Sequence, residues 1–211
     1  MNPKDLYLSK PWLKFYSEGV PAEIEIPDIS VPELFDGVVE KYGSKAALIF
    51  YGKTITYREL KGLVDRLATA LSDLGVKKGD TVALYLLNSP QYVIAYFATL
   101  RLGAKVTPIS PVYTSIEVKH QIEDSEAGTV ICQDILYDNL EKAGVHPERV
   151  VLTSIDEYLP ALKKWFGKSA KAKAYDGKQT LSAEEIKRTG LYSFQDLLKR
   201  SSAAPPAVAI G

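Results

Sequence analysis

His120, Glu123 and Asp124 stand one helical turn apart and can share a helix face. An imidazole and two carboxylates are metal-ligand types. A metal reading needs a third strong ligand, and the other histidine, His146, lies beyond a separate helical stretch. The same spacing describes a solvated, charge-balanced helix face. Cys132 is the single cysteine, so an internal disulfide framework and a multi-cysteine metal site are excluded. A reducing, cytoplasmic compartment is the default for such a chain. With His120 or His146 the thiol could act as a nucleophile. At the end of an apolar strand it reads instead as a small buried hydrophobe. Gly167-Lys168-Ser169 matches the end of a phosphate-binding P-loop, but position 162 is leucine where that loop needs glycine. Neither G-x-G-x-x-G nor G-x-S-x-G occurs. Tyr51, Tyr57, Tyr85, Tyr92, Tyr96 and Phe97 read as core and boundary packing rather than a stacking platform.

Charge narrows the partners. The 211 residues carry 26 Lys+Arg and 26 Asp+Glu, a net charge of zero. A neutral chain is a poor polyanion binder, so no nucleic-acid partner is expected. A hydrophobic fraction of 46% with 25% charged residues is that of a soluble globular protein. Apolar runs such as Ala83 to Leu87 fall far short of the roughly 20 residues that span a bilayer, so no transmembrane segment is expected. The first residues, Met1 to Tyr7, contain no apolar stretch of signal-peptide length. Lys163, Lys164, Lys168, Lys171 and Lys173, with Trp165 and Phe166 among them, allow peripheral contact with an anionic membrane surface. The plainer reading is an exposed, solubilising face.

The elements that must position these residues follow from periodicity and caps. Residues 1–29 read as an irregular lead interrupted by Pro3, Pro11, Pro21 and Pro27, pinned by Trp12, Phe15 and Tyr16. Ser30-Val31-Pro32-Glu33, Thr56-Tyr57-Arg58-Glu59 and Thr114-Ser115-Ile116-Glu117 are capping boxes that open helices. Leu60, Leu63, Val64, Leu67, Ala68 and Leu71 form the apolar stripe of the second. Two short strands flank Gly52. Unalternated apolar strands are expected at Thr81–Leu87, Lys105–Ile109, Thr129–Cys132 and Arg149–Thr153, separated by helices from Ser89-Pro90 to Leu102, from Thr114 to Ser125 and from Leu136 to Ala143. The pattern is that of βαβ units.

The expected fold is therefore α/β: a largely parallel sheet with helices on both faces over residues 30–154. Residues 155–202 read as a helical, basic C-terminal annex rather than more sheet, and 203–211 as a Pro/Ala linker. Between 155 and 200, ten basic residues stand against six acidic ones, a +4 that the rest of the chain balances. Ligands of such sheets sit at the carboxyl ends of the strands. Asn88, Ser110, Tyr113 and Gln133 lie there and are the candidate site residues.

Three blocks carry a resemblance. They are Ile55-Thr56-Tyr57-Arg58-Glu59-Leu60, the run Ala98 to Ile109 (ATLRLGAKVTPI), and the run Pro111 to Ala127, which reads P-x-Y-T-x-x-E-x-x-H-Q-x-x-D-S-x-A. In this order and spacing they resemble the first core motifs of the adenylate-forming (AMP-binding) superfamily of acyl-CoA synthetases, luciferases and peptide-synthetase adenylation domains. The third block is most similar to the long-chain fatty-acid–CoA ligase branch, from which Ser110 departs where that branch carries asparagine. The resemblance covers residues 30–154 well and the remainder loosely. Read on their own, the blocks are structural: caps, a helix stop at Gly103, and Pro108 at a strand end or edge.

The resemblance implies the N-terminal subdomain of an acyl-CoA synthetase-like fold. It implies a reaction of a fatty acid with ATP to give acyl-AMP and pyrophosphate, then transfer of the acyl group to CoA, with Mg²⁺ spreading the developing charge. In that family the phosphate loop, the adenosine-binding residues and the mobile-domain lysine lie downstream of the position matching Gly211. The chain then stops short of a catalytic half, none of its residues is assigned a catalytic or metal role, and alone it is expected to be inactive. Asn88, Ser110, Tyr113 and Gln133 become candidates for the substrate or CoA side. Such a portion should expose an unfinished apolar face and self-associate as a homo-oligomer. The alternative is a stand-alone truncated paralogue acting as an acyl-binding or protein-interaction module. A third reading, an unrelated doubly wound nucleotide binder, lacks its glycine fingerprint.

Overall fold

The computed structural model describes residues 2–160 and 189–209. The Gly167-Lys168-Ser169 turn, the lysine-rich stretch and residues 161–188 of the expected annex lie outside the described residues.

Each capping box forms as written. The Thr56 backbone N–H donates to Glu59 Oε2 at 2.8 Å and Glu59 N–H donates to Thr56 Oγ1 at 3.3 Å. Ser30–Glu33 and Thr114–Glu117 repeat the exchange. The lead contains two helical turns, α1 (Pro3–Leu8) and a 3₁₀ turn at Pro11–Phe15. Then come α2 (Val31–Tyr42), the antiparallel pair β1 (Ala46–Phe50) and β2 (Lys53–Thr56), and α3 (Tyr57–Asp73). The alternating part runs β3 (Thr81–Tyr85), α4 (Pro90–Arg101), β4 (Lys105–Pro108), α5 (Ser115–Asp124), β5 (Thr129–Gln133), α6 (Tyr137–Lys142) and β6 (Arg149–Thr153). A 3₁₀ turn (Ile155–Tyr158) follows, then β7 (Tyr192–Ser193) and α7 (Phe194–Arg200).

β3 to β7 form one parallel sheet in the order β4-β3-β5-β6-β7. Strand alternation splits the core in two. Val82, Leu84, Ile131 and Val151 face α3, α4 and α7; Ala83, Tyr85, Val130, Cys132 and Leu152 face α5 and α6. Helices therefore cover both faces, which is why these strands read as unbroken apolar runs. Pro108 ends the edge strand β4, where its missing N–H costs no ladder bond. Gly103 takes φ +66° to bring the chain from α4 into β4.

Two expectations are corrected. Beyond residue 154 the helix is present as α7, but so is more sheet: Tyr192 and Ser193 pair with Val151 and Leu152 as a fifth parallel strand. Two residues are too few for a periodicity to register. The aromatic residues of the lead do not pin it to the described fold. Phe15 is 78% exposed, and Trp12 packs on Tyr7 within the lead at 5.2 Å between ring centroids.

Candidate functional site

The strand order reverses between β3 and β5, and the carboxyl ends of the sheet are where such folds place ligands. In this chain four side-chain amides close on that edge. Gln121 Nε2 donates to Pro108 O and Thr107 Oγ1, both at 3.1 Å, at the end of β4. Asn139 Nδ2 donates to Tyr113 O at 2.9 Å and to the buried Tyr85 hydroxyl at 2.8 Å. Gln133 Nε2 donates to Thr153 O at 3.3 Å, and Gln91 Nε2 to Ser154 O at 2.7 Å. Each amide satisfies a carbonyl where a ladder has run out.

The four candidate residues separate accordingly. Asn88 is exposed on the loop between β3 and α4. Ser110 and Tyr113 belong to one turn, in which Tyr113 N–H donates to Ser110 O at 3.1 Å, and Asn139 holds that turn by its other end. Gln133 is fully buried beneath the edge. The structure thus brings Ser110 and Tyr113 together and sets Gln133 below the surface. Sequence reading missed Gln91, Gln121 and Asn139. Their signal was an amide side chain near a strand end, indistinguishable in one sequence from any surface glutamine or asparagine.

Beside the Tyr113 turn lies a cleft of about 520 Å³ lined by Thr107, Tyr113, Glu117, His120, Gln121 and Asp124. Ile116 also lines it and stands exposed, as does Val112 in the preceding turn. The neighbours expected of His120 do not assemble a metal site. Among the described residues no three His, Cys, Asp or Glu side chains come together to hold a cation, and Glu123 instead approaches Lys119 at 3.8 Å. Cys132 is fully buried, and burial pushes its thiol well above the usual range, with Asp134 adding to the effect. A thiol so held is an inert core residue. At the far end of β6, burial also raises the Glu157 carboxyl, against hydrogen bonds from Thr153, Gln195 and the Ser154 backbone. Glu157 joins β6 to α7, and burial pushes the adjacent Tyr158 hydroxyl up to about 12.

Comparison with known proteins adds what geometry alone does not. The family model described as AMP-binding enzyme matches residues 35–203. The long-chain-fatty-acid–CoA ligase of Bacillus subtilis (strain 168) is 32% identical over 153 residues, covering 72% of this chain and 27% of that protein. The ligase of the same name from Yersinia pestis is 37% identical over 161 residues, covering 74% and 28%. A crystal structure of a long-chain-fatty-acid–CoA ligase from Archaeoglobus fulgidus superposes with a TM-score of 0.65 at 27% identity, over 92% of this chain and 34% of that one. An anthranilate CoA ligase in complex with anthranoyl-AMP superposes with a TM-score of 0.67 at 19% identity, which speaks for the fold alone. The chain spans a little over a quarter of the length of the curated relatives it matches.

Proposed function

This chain belongs to the AMP-binding enzyme family, and from that premise we propose that it is the amino-terminal α/β portion of an ATP-dependent long-chain fatty-acid–CoA ligase. The observation that carries the reading is the match to fatty-acid–CoA ligases through most of this chain but only a little over a quarter of theirs. The reaction joins a fatty-acid carboxylate to the α-phosphorus of ATP with loss of pyrophosphate. The thiol of CoA then takes the acyl carbon and releases AMP. The described residues do not fit ATP or Mg²⁺. No carboxylate cluster suits a cation, and no glycine cradle follows a strand. No step of the reaction is therefore assigned to a phosphate or a metal held by this chain.

The contribution of these residues is a scaffold with one presented edge. Asn88, Ser110 and Tyr113 form its substrate- or CoA-facing side, over a floor that includes Gln133. Val112 and Ile116, 87% and 79% exposed, belong to the unfinished apolar face expected of such a portion. No described helix is long and apolar enough to cross a membrane. A fully buried single cysteine suits a reducing, cytoplasmic setting.

The test is an assay. Purified 211-residue chain, incubated with ATP, Mg²⁺, CoA and palmitate, forms no acyl-CoA above the no-enzyme background. A longer protein that includes it does. Acyl-CoA formation by the short chain itself overturns the assignment. A longer protein that accepts some other carboxylate overturns the substrate class alone.

A further inference from the structure

The crevice between β3 and β5 is where a sheet of this order opens for a ligand. Next to it, where β5 and β6 end, three polar side chains are buried: Ser89 at the start of α4, Gln91 in its first turn, and Gln133 at the end of β5. The nitrogens of the two amides are committed, Gln91 Nε2 to Ser154 O and Gln133 Nε2 to Thr153 O. A carbonyl partner fixes which way a primary amide faces, so each Oε1 is an obligate acceptor. Gln133 stands two residues beyond Ile131, on the face of β5 that α4 covers, and so on the side from which Gln91 of α4 reaches the end of β6. Yet Gln91 Oε1, Gln133 Oε1 and Ser89 Oγ have no hydrogen-bond partner, and both glutamines are fully buried.

Acceptors held this way call for a donor, since a buried acceptor left alone is costly. The set is neutral and built of oxygens, which disfavours an anion. It offers too few oxygens to replace the hydration shell of a metal ion. Full burial excludes anything large. We infer that the space beneath α4 at the ends of β5 and β6 is a structural water site, in which one buried water donates to Gln91 Oε1 and Gln133 Oε1 with Ser89 Oγ in reach, tying α4 to the ends of β5 and β6. A buried water makes about three such bonds to groups that lack other partners. This inference stands whether or not the ligase reading does.

A high-resolution crystal structure of the 211-residue chain is the direct test. The expected result is one ordered water about 2.7–3.2 Å from both Oε1 atoms. No density there, or separate waters on each amide, overturns the inference. A double-mutant cycle in solution supplies a second reading. Gln91→Met and Gln133→Met each remove an acceptor, together with the amide donor to a different backbone carbonyl, at nearly constant shape, so only the shared water couples the two changes. If one water serves both, the double variant loses less than the product of the singles, by about fivefold or more in the unfolding constant. Effects that multiply independently within about twofold contradict a shared water. If a variant does not fold, the crystallographic density alone decides.

Discussion

Arg101 Nε lies 3.0 Å from Asp65 Oδ1, while Nη2 of the same guanidinium lies 2.6 Å from Asp36 Oδ1. One side chain at the end of α4 thus ties α3 and α2 together, and Lys61 completes the group at 3.2 Å from Asp36 and 2.8 Å from Asp65. The Asp65 contact is Coulombic rather than a formed hydrogen bond, because neither atom has a hydrogen-bond partner of acceptable geometry. Removing Arg101 leaves two carboxylates, one of them buried, to share the single Lys61 ammonium. Arg101→Met is expected to lower stability by about 2–4 kcal/mol, less than for a fully buried pair because Asp36 is partly exposed. Urea unfolding at constant m-value measures it. A loss below about 1 kcal/mol means the group contributes no more than a surface ion pair.

The capping boxes set an acid limb. Hydrogen bonds from the Ser30 hydroxyl and backbone, and from the Thr56 and Thr114 backbones and hydroxyls, hold the Glu33, Glu59 and Glu117 carboxyls below the usual carboxylate range. Folded values lower than unfolded ones stabilise the fold above the unfolded value near 4.5. That stabilisation is lost as pH falls through the depressed values. Replacing all three with glutamine keeps the box geometry and removes the titration. The triple variant should show a shallower fall in Tm between pH 5 and about pH 3 than the parent. Parallel curves would show that other groups govern the acid limb.

Gly103 and Gly144 share a left-handed backbone, at φ +66° and +67°, and differ in surroundings. A Cβ on Gly103 meets Lys78 Cγ at 3.0 Å and Val208 Cγ1 at 3.2 Å, while one on Gly144 meets nothing within 4 Å. Gly144→Ala should cost about 1–2 kcal/mol for backbone strain alone. Gly103→Ala should cost more, the excess reporting how firmly Lys78 and Val208 are held. Equal midpoints for the two variants would place Lys78 and Val208 among the yielding side chains.

Much of this was legible because the relevant signals are local. The capping boxes at Ser30, Thr56 and Thr114 need only residues three apart. β3, β5 and β6 announce themselves as apolar runs because both faces of the sheet are covered there. Pro108 and Gly103 declare an edge and a turn by what their backbones can do. The two-residue strand at Tyr192 was not legible, since its pairing with Val151 and Leu152 is a long-range fact with no periodicity of its own. Nor was the amide ring at the carboxyl edge. Gln91, Gln121 and Asn139 differ from surface amides only in which distant carbonyl they reach. Of the candidate residues, Ser110 and Tyr113 fell together because four positions in one turn are local. The burial of Gln133 depended on α4 and β6 both closing over it.

The core position of Cys132 gives a clock for opening. Its thiol is fully buried, with ionisation pushed well above the usual range by burial. A thiol reagent at pH 8 should fail to label the native chain and label it at once in denaturant. The native labelling rate should follow global unfolding, so Arg101→Met should accelerate it in proportion to its loss of stability. Rapid labelling of the native chain would mean that β5 is accessible by local opening.

The central claim is that these residues work as the amino-terminal portion of a fatty-acid–CoA ligase, and the mass of the native product tests it most directly. An antibody raised to the chain is used to blot an extract of the source cells. The account predicts a band far above the 23.3 kDa of this chain. A single band at 23.3 kDa would contradict it and make the short chain a module that acts without a catalytic half.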